Sequence, residues 1–315
     1  MLHTDISLKE QRIRSKKQLS TTSLFYFLFL LIGIVGAFSL RIFLDKFIPE
    51  VLDSYLSIWL VQYIPLYGMG GPILLCGYFL MKPGPVEHGE KRKMKPSVFF
   101  LCCFLGISVG YISSMATQIL TLPISMLKGR QVVSDASMMV ASGHWLINIF
   151  FVAIFAPVVE ELIFRKLLYH MLGHFGELFY ILASGIAFGL FHMNIMQILF
   201  ATALGFFLAF LTYRSSGKVI YSILLHFMVN SISLLVTGLG SLHPIFLFGG
   251  GLFIILAMII GFILILVLSI SNRKKIHFLP GSGLAPTLGQ IFSSYGVILY
   301  LMLTLGFTAY ALIMY

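Results

Sequence analysis

Most of the chain's eleven carboxylate side chains fall in tails or in loops between long apolar runs. The exceptions are Glu160 and Glu161, adjacent in the run Ile154-Phe-Ala-Pro-Val-Val-Glu-Glu-Leu-Ile-Phe-Arg165. A charge inside an apolar span is expensive even on lenient insertion scales, and two adjacent carboxylates are more so. A pair facing hydrocarbon is disfavoured, so whatever compensates it marks the place to look for chemistry. Arg165 lies one helical turn after Glu161, where the two can form an ion pair. That pair by itself would be ordinary packing near a helix end. Glu160 has no counterion in the local sequence. Pro157, lacking an amide hydrogen, should free the carbonyl of Ala153 and kink the helix just before the acids.

Two other apolar runs supply matching polar groups. Gly185, Phe188, Gly189 and His192 recur at spacings of three and four, which puts them on one helix face with small residues for close approach. Ser222, His226 and Asn230 repeat every four residues, a polar line along an otherwise apolar helix. A lone histidine in such a run is usually a hydrogen-bonded packing group. Two such stripes beside an unpaired glutamate favour a reactive site.

Depth allows the groups to meet. At about 1.5 Å per residue, His226 lies roughly 12 Å from Lys218, Glu160 roughly 15 Å from His170, and His192 roughly 20 Å from the start of its run. All three reach a cavity below the cytoplasmic surface, and Ala201 and Gly205 on the sixth run permit close packing beside it. Together the groups suit hydrolysis. A carboxylate in a cavity of low dielectric can take a proton from water, and a neutral histidine can hold the same water. His226 and Asn230 can donate to a carbonyl oxygen that becomes negative under attack. No serine or cysteine sits in a nucleophile context, so water is expected to attack directly.

The elements that position these residues follow from composition. Of 315 residues, 59% are hydrophobic and 10% charged, against about 25% charged in soluble domains. The fold class is therefore all-α, a polytopic transmembrane helical bundle of about eight or nine spans. Apolar runs fall near 22–44, 56–81, 97–122, 145–170, 178–193, 195–213, 218–238, 244–270 and 292–314. The eighth can be trimmed at Gly249–Gly251. The net charge of +10 does not imply nucleic acid, because the basic residues cluster between runs: Lys9 to Lys17, Lys82 with Lys91 to Lys95, Arg165–Lys166, Arg214 to Lys218 and Arg273 to Lys275. The opposite loops are more balanced (Arg41, Asp45, Lys46, Glu50, Asp53, Lys128, Arg130, Asp135), and the last, near His243, carries no formal charge. That asymmetry places the N-terminus in the cytoplasm and the C-terminus outside. Cys76, Cys102 and Cys103 have neither metal nor disulfide spacing.

In three helices and in order, Glu160-Glu161-x-x-x-Arg165, Phe188-x-x-x-His192 and His226-x-x-x-Asn230 resemble the three motifs of the CPBP (Abi) family of intramembrane endopeptidases. That family groups type II CAAX prenyl endopeptidases with bacteriocin-immunity and peptide-processing proteins. The resemblance covers about residues 145–240. It implies that Glu160 and His192 activate water, that His226 and Asn230 form the oxyanion site, and that Glu161 and Arg165 organise the first pair. Lys166 stands where the family commonly has glycine. No cofactor is favoured; if a zinc or other divalent ion is needed, its ligands would be Glu160, His192 and His226. There is no His-Glu-x-x-His.

The expected organisation is a cytoplasmic tail at 1–21, spans over 22–144, a catalytic core at 145–240 and further spans over 241–315. The implied function is hydrolysis of a peptide bond in a membrane-associated peptide or protein, either lipidated or a peptide precursor, in a bacterial plasma membrane. The partners are membrane lipid and that substrate, with no nucleic acid. A proton-coupled transporter and a non-catalytic partner or immunity factor are the alternatives.

Overall fold

The computed structural model describes residues 7–86, 94–130, 132, 144–271 and 277–314. Among the charges used above to orient the loops, Lys91 to Lys93, Asp135 and Arg273 to Lys275 lie outside the described residues.

Nine long helices follow the nine apolar runs among the described residues, with no strand. They are α1 (Leu8–Phe47), α2 (Tyr55–Leu80), α3 (Pro96–Lys128), α4 (Trp145–Phe175), α5 (Glu177–Phe191), α6 (Ile195–Arg214), α7 (Ile220–Leu242), α8 (Pro244–Ser271) and α9 (Tyr295–Met314). Seven of them are long and apolar enough to cross a membrane. The other two are α5, of 15 residues, and α7, of 23. At 15 residues, α5 is about 22 Å long, short of a hydrocarbon core of about 30 Å. The short helix α5 leads directly into His192.

Helix α1 starts well inside the polar tail, before the apolar run begins. The cause is a capping box: Glu10 N–H donates to Ser7 Oγ at 3.3 Å, and Ser7 N–H donates to Glu10 Oε2 at 3.0 Å. Helix α8 runs through Gly249–Gly251 without a break.

The chain divides into two compact units. The first comprises residues 1–87, 167–180 and 279–306. Within it α1 and α2 approach closely at glycines: Gly33 faces Leu66, and Gly36 faces Pro65. The loop before α9 is held by polar contacts. Glu177 N–H donates to Leu279 O at 3.0 Å, and Leu279 N–H returns a bond to Glu177 Oε2 at 2.8 Å. Arg12 Nη1 donates to Ala285 O at 3.1 Å.

The second unit comprises residues 88–166, 181–278 and 307–315. Its core joins Cys102, Cys103 and Ile107 of α3 to Leu204, Leu208 and Leu211 of α6, Leu225 and Val229 of α7, and Ala257 of α8. Burying such side chains against one another rather than against lipid relies on packing, and small residues make it tight. Ser108 Oγ donates to Ala257 O at 2.9 Å, tying α3 to α8. Every residue of the predicted site belongs to this unit.

Candidate active site

The site begins with the backbone of α4. Ile149–Phe155 and Leu162–Leu167 are π-helical, and between them runs a short α-helical stretch, Ala156–Glu161, that ends on the two acids. Wide turns of this kind are rare and concentrate at functional sites. They also change which carbonyl Pro157 leaves unserved. In an α-helix residue 157 would bond residue 153. In the π register the bond runs five residues back, as Ala156 N–H to Phe151 O shows, so proline orphans Val152. The carbonyl here that receives a side chain is Val152 O, bonded by Asn230 Nδ2 at 2.9 Å.

The acids then meet their partners. Arg165 Nη1 lies 3.0 Å from Glu161 Oε1, and both side chains are fully buried. The same oxygen accepts from His226 Nδ1 at 2.9 Å. His226 Nε2 faces Glu160 Oε2 at 3.9 Å, an electrostatic contact too long for a hydrogen bond. Glu160 thus faces an imidazole on α7. Glu160, Glu161, Arg165 and His226 form one buried cluster. It holds two carboxylates, one guanidinium and one imidazole.

His192 lies in the turn just after α5 and not on the helix itself, and its Nδ1 donates to Phe188 O at 2.9 Å. With Nδ1 carrying the proton, Nε2 is the basic nitrogen. The link to the acid cluster is Phe188. Its buried ring lies 4.1 Å beneath the Arg165 guanidinium and meets His192 edge-on at 4.9 Å and His226 at 5.6 Å. The small-residue face is used as its spacing predicts. A Cβ on Gly189 would sit 2.8 Å from Ile198 O, and one on Gly205 would sit 2.9 Å from Gly185 Cα. Ala201 is buried.

Ser222 belongs to the predicted polar line but not to the cluster. Its hydroxyl donates to Val219 O at 2.9 Å and accepts from Thr212 at 3.2 Å. Lys166, at the position where glycine is expected, donates to Gly217 O at 3.3 Å and so fastens the turn between α6 and α7. Three supports were missed by sequence reasoning. Phe188 is a hub and not just a motif spacer. The Gly205 carbonyl lies 3.5 Å from Arg165 Nη2. Buried Ser184 donates to Phe164 O at 2.6 Å, on the second π segment. Ser184 was detectable, since it precedes Phe188 and His192 at steps of four.

The expected metal set was Glu160, His192 and His226. Among the described residues no group of three His, Cys, Asp or Glu side chains is gathered so as to hold an ion. Glu161 Oε1 is shared by Arg165 and His226.

Fold and site define an all-α, polytopic protein with a buried glutamate–histidine–arginine cluster. Residues 142–232 match the family described as type II CAAX prenyl endopeptidase, Rce1-like. Over 80 residues the chain is 35% identical to the "Putative membrane peptidase YdiL" of Bacillus subtilis (strain 168). That alignment covers 25% of this chain and 32% of the relative's length. The resemblance read from the motifs is thus shown over the segment that carries them. No solved structure matches.

Proposed function

We propose that the protein is an intramembrane endopeptidase in which Glu160 activates water to hydrolyse a peptide bond of a membrane-associated peptide or protein. The observation that carries this reading is the buried cluster itself: Arg165 Nη1 lies 3.0 Å from Glu161 Oε1, and Glu160 faces His226 Nε2 at 3.9 Å. As a carboxylate, Glu160 can act as a base. The Nε2 lone pair of His192 helps hold the water. The water oxygen attacks the scissile carbonyl carbon as its proton passes to Glu160. The carbonyl oxygen gains negative charge and accepts a hydrogen bond from His226. Glu160 then protonates the departing nitrogen as the C–N bond breaks, leaving a carboxylic acid and an amine. Glu161 keeps the His226 ring oriented throughout.

The matches to type II CAAX prenyl endopeptidases and to a Bacillus membrane peptidase support a substrate presented at the membrane. Both a prenylated C-terminal tail and an unlipidated precursor peptide fit that description, so the test carries both. Purified protein in detergent is given the two peptide sets, wild type beside Glu160→Gln, with and without chelator. Cleavage by wild type that survives chelator and is lost in the variant is the expected result. Cleavage lost to chelator would sink the metal-free mechanism. Equal cleavage by both proteins would sink the role of Glu160.

A further inference from the structure

The contact between Asn230 and Val152 has a chemical cause that assigns Asn230 a role of its own. The π-helical segment Ile149–Phe155 ends with Ala156 N–H on Phe151 O, five residues back. The next donor in that register is residue 157, which is proline and has no N–H. Val152 O would therefore stand unpaired among apolar helices, where an unsatisfied carbonyl is costly. Asn230 Nδ2 reaches across from α7 and donates to it at 2.9 Å. One turn earlier on α7, His226 Nδ1 donates to Glu161 at 2.9 Å. The two bonds grip α4 on either side of Pro157, with Glu160 on the stretch that follows the proline.

We infer that Asn230 is a positioning residue whose side-chain amide replaces the backbone donor missing at Pro157, fixing α7 against α4 and holding Glu160 opposite His226. The amide hydrogen that bonds Val152 is committed to the scaffold. The role rests on the peptidase reading only for its catalytic readout, because the clamp itself is a property of the fold.

A cycle of four full-length proteins in detergent tests it: wild type, Asn230→Ala, Pro157→Ala and the double variant. Alanine at 157 restores an N–H, so Val152 no longer depends on Asn230. In the wild-type background Asn230→Ala should lower the unfolding midpoint by about 3 °C or more, and in the Pro157→Ala background by less than about half of that. If the peptidase assay is running, Asn230→Ala should lower kcat by about tenfold, with partial recovery in the double variant. Equal losses in both backgrounds, or a fall in kcat with the midpoint unmoved, would overturn the inference and return Asn230 to direct contact with the reacting carbonyl. Asn230→Asp checks the clamp without touching the proline. Its carboxylate keeps the shape but cannot donate, so it should destabilise at least as much as alanine, and an unchanged midpoint would overturn the clamp. The midpoints need no substrate, so a failed peptidase reading and a failed clamp are told apart.

Discussion

Two helices in this protein carry a proline beside a π-helical turn, and they treat it differently. In α2 the turn Ile64–Gly70 contains Pro65, and the residue before the proline still bonds four back, Ile64 N–H to Leu60 O. The neighbours of that turn are apolar or glycine: Leu66 meets Gly33, and Pro65 meets Gly36. In α4 the residue before Pro157 bonds five back, and the carbonyl that follows is served by a side chain from another helix. The first arrangement lets two helices approach. The second ties a helix carrying two acids to a helix carrying a histidine. Similar backbone irregularity thus serves packing in one place and the placement of charge in the other, and the register of one hydrogen bond decides which.

Substitutions can break or sharpen that contrast. The largest effect is expected at Glu160. Replacement by Gln keeps the size and removes the base, so cleavage should fall by about 10²- to 10⁴-fold, while the unfolding midpoint stays near wild type. Arg165 comes next. Changing it to Met leaves Glu161 buried without its cation, which should cost about 3–5 kcal/mol, read as loss of folded protein on extraction. Adding Glu161→Gln should recover part of that loss, and a double variant no better than the single would refute the pairing.

Gly189→Ala forces a methyl against Ile198 O and should cost about 1–3 kcal/mol in unfolding measurements. Phe188→Leu removes the ring under Arg165 and should cost about 1–2 kcal/mol, with a matching loss of activity as His192 and His226 lose a shared wall. The smallest effect belongs to the other proline. Pro65→Ala should change stability by less than about 1 kcal/mol and leave cleavage intact. Strong inactivation by Pro65→Ala would erase the distinction between the two turns.

Much of this was legible beforehand. Each apolar run became a helix, and the ion pair of Glu161 with Arg165 follows from their spacing. The glycine stripe of α5 packs on α6, with Gly185 against Gly205 and Gly189 against Ile198 and Thr202. Less legible was the length of α5, which stops at Phe191 and leaves His192 in a turn, and the start of α1, which a capping box moves into the polar tail. The carbonyl that takes a side-chain donor, Val152 O, lies one residue before the one the α-helical spacing frees. A π register leaves little mark on the local sequence.

By itself, then, the sequence determined that the chain is helical and made for lipid, and that Glu160 needed a partner from elsewhere. Those are consequences of solvent and of charge, which act on each segment wherever it ends up. Tertiary structure decided that the partner is His226, that one oxygen of Glu161 serves both Arg165 and His226, that Phe188 joins both histidines, and that Asn230 answers to Val152. Each of these depends on which turn of one helix lies against which turn of another. A hydrogen bond tolerates only a fraction of an ångström, so register between helices distant in sequence settles it.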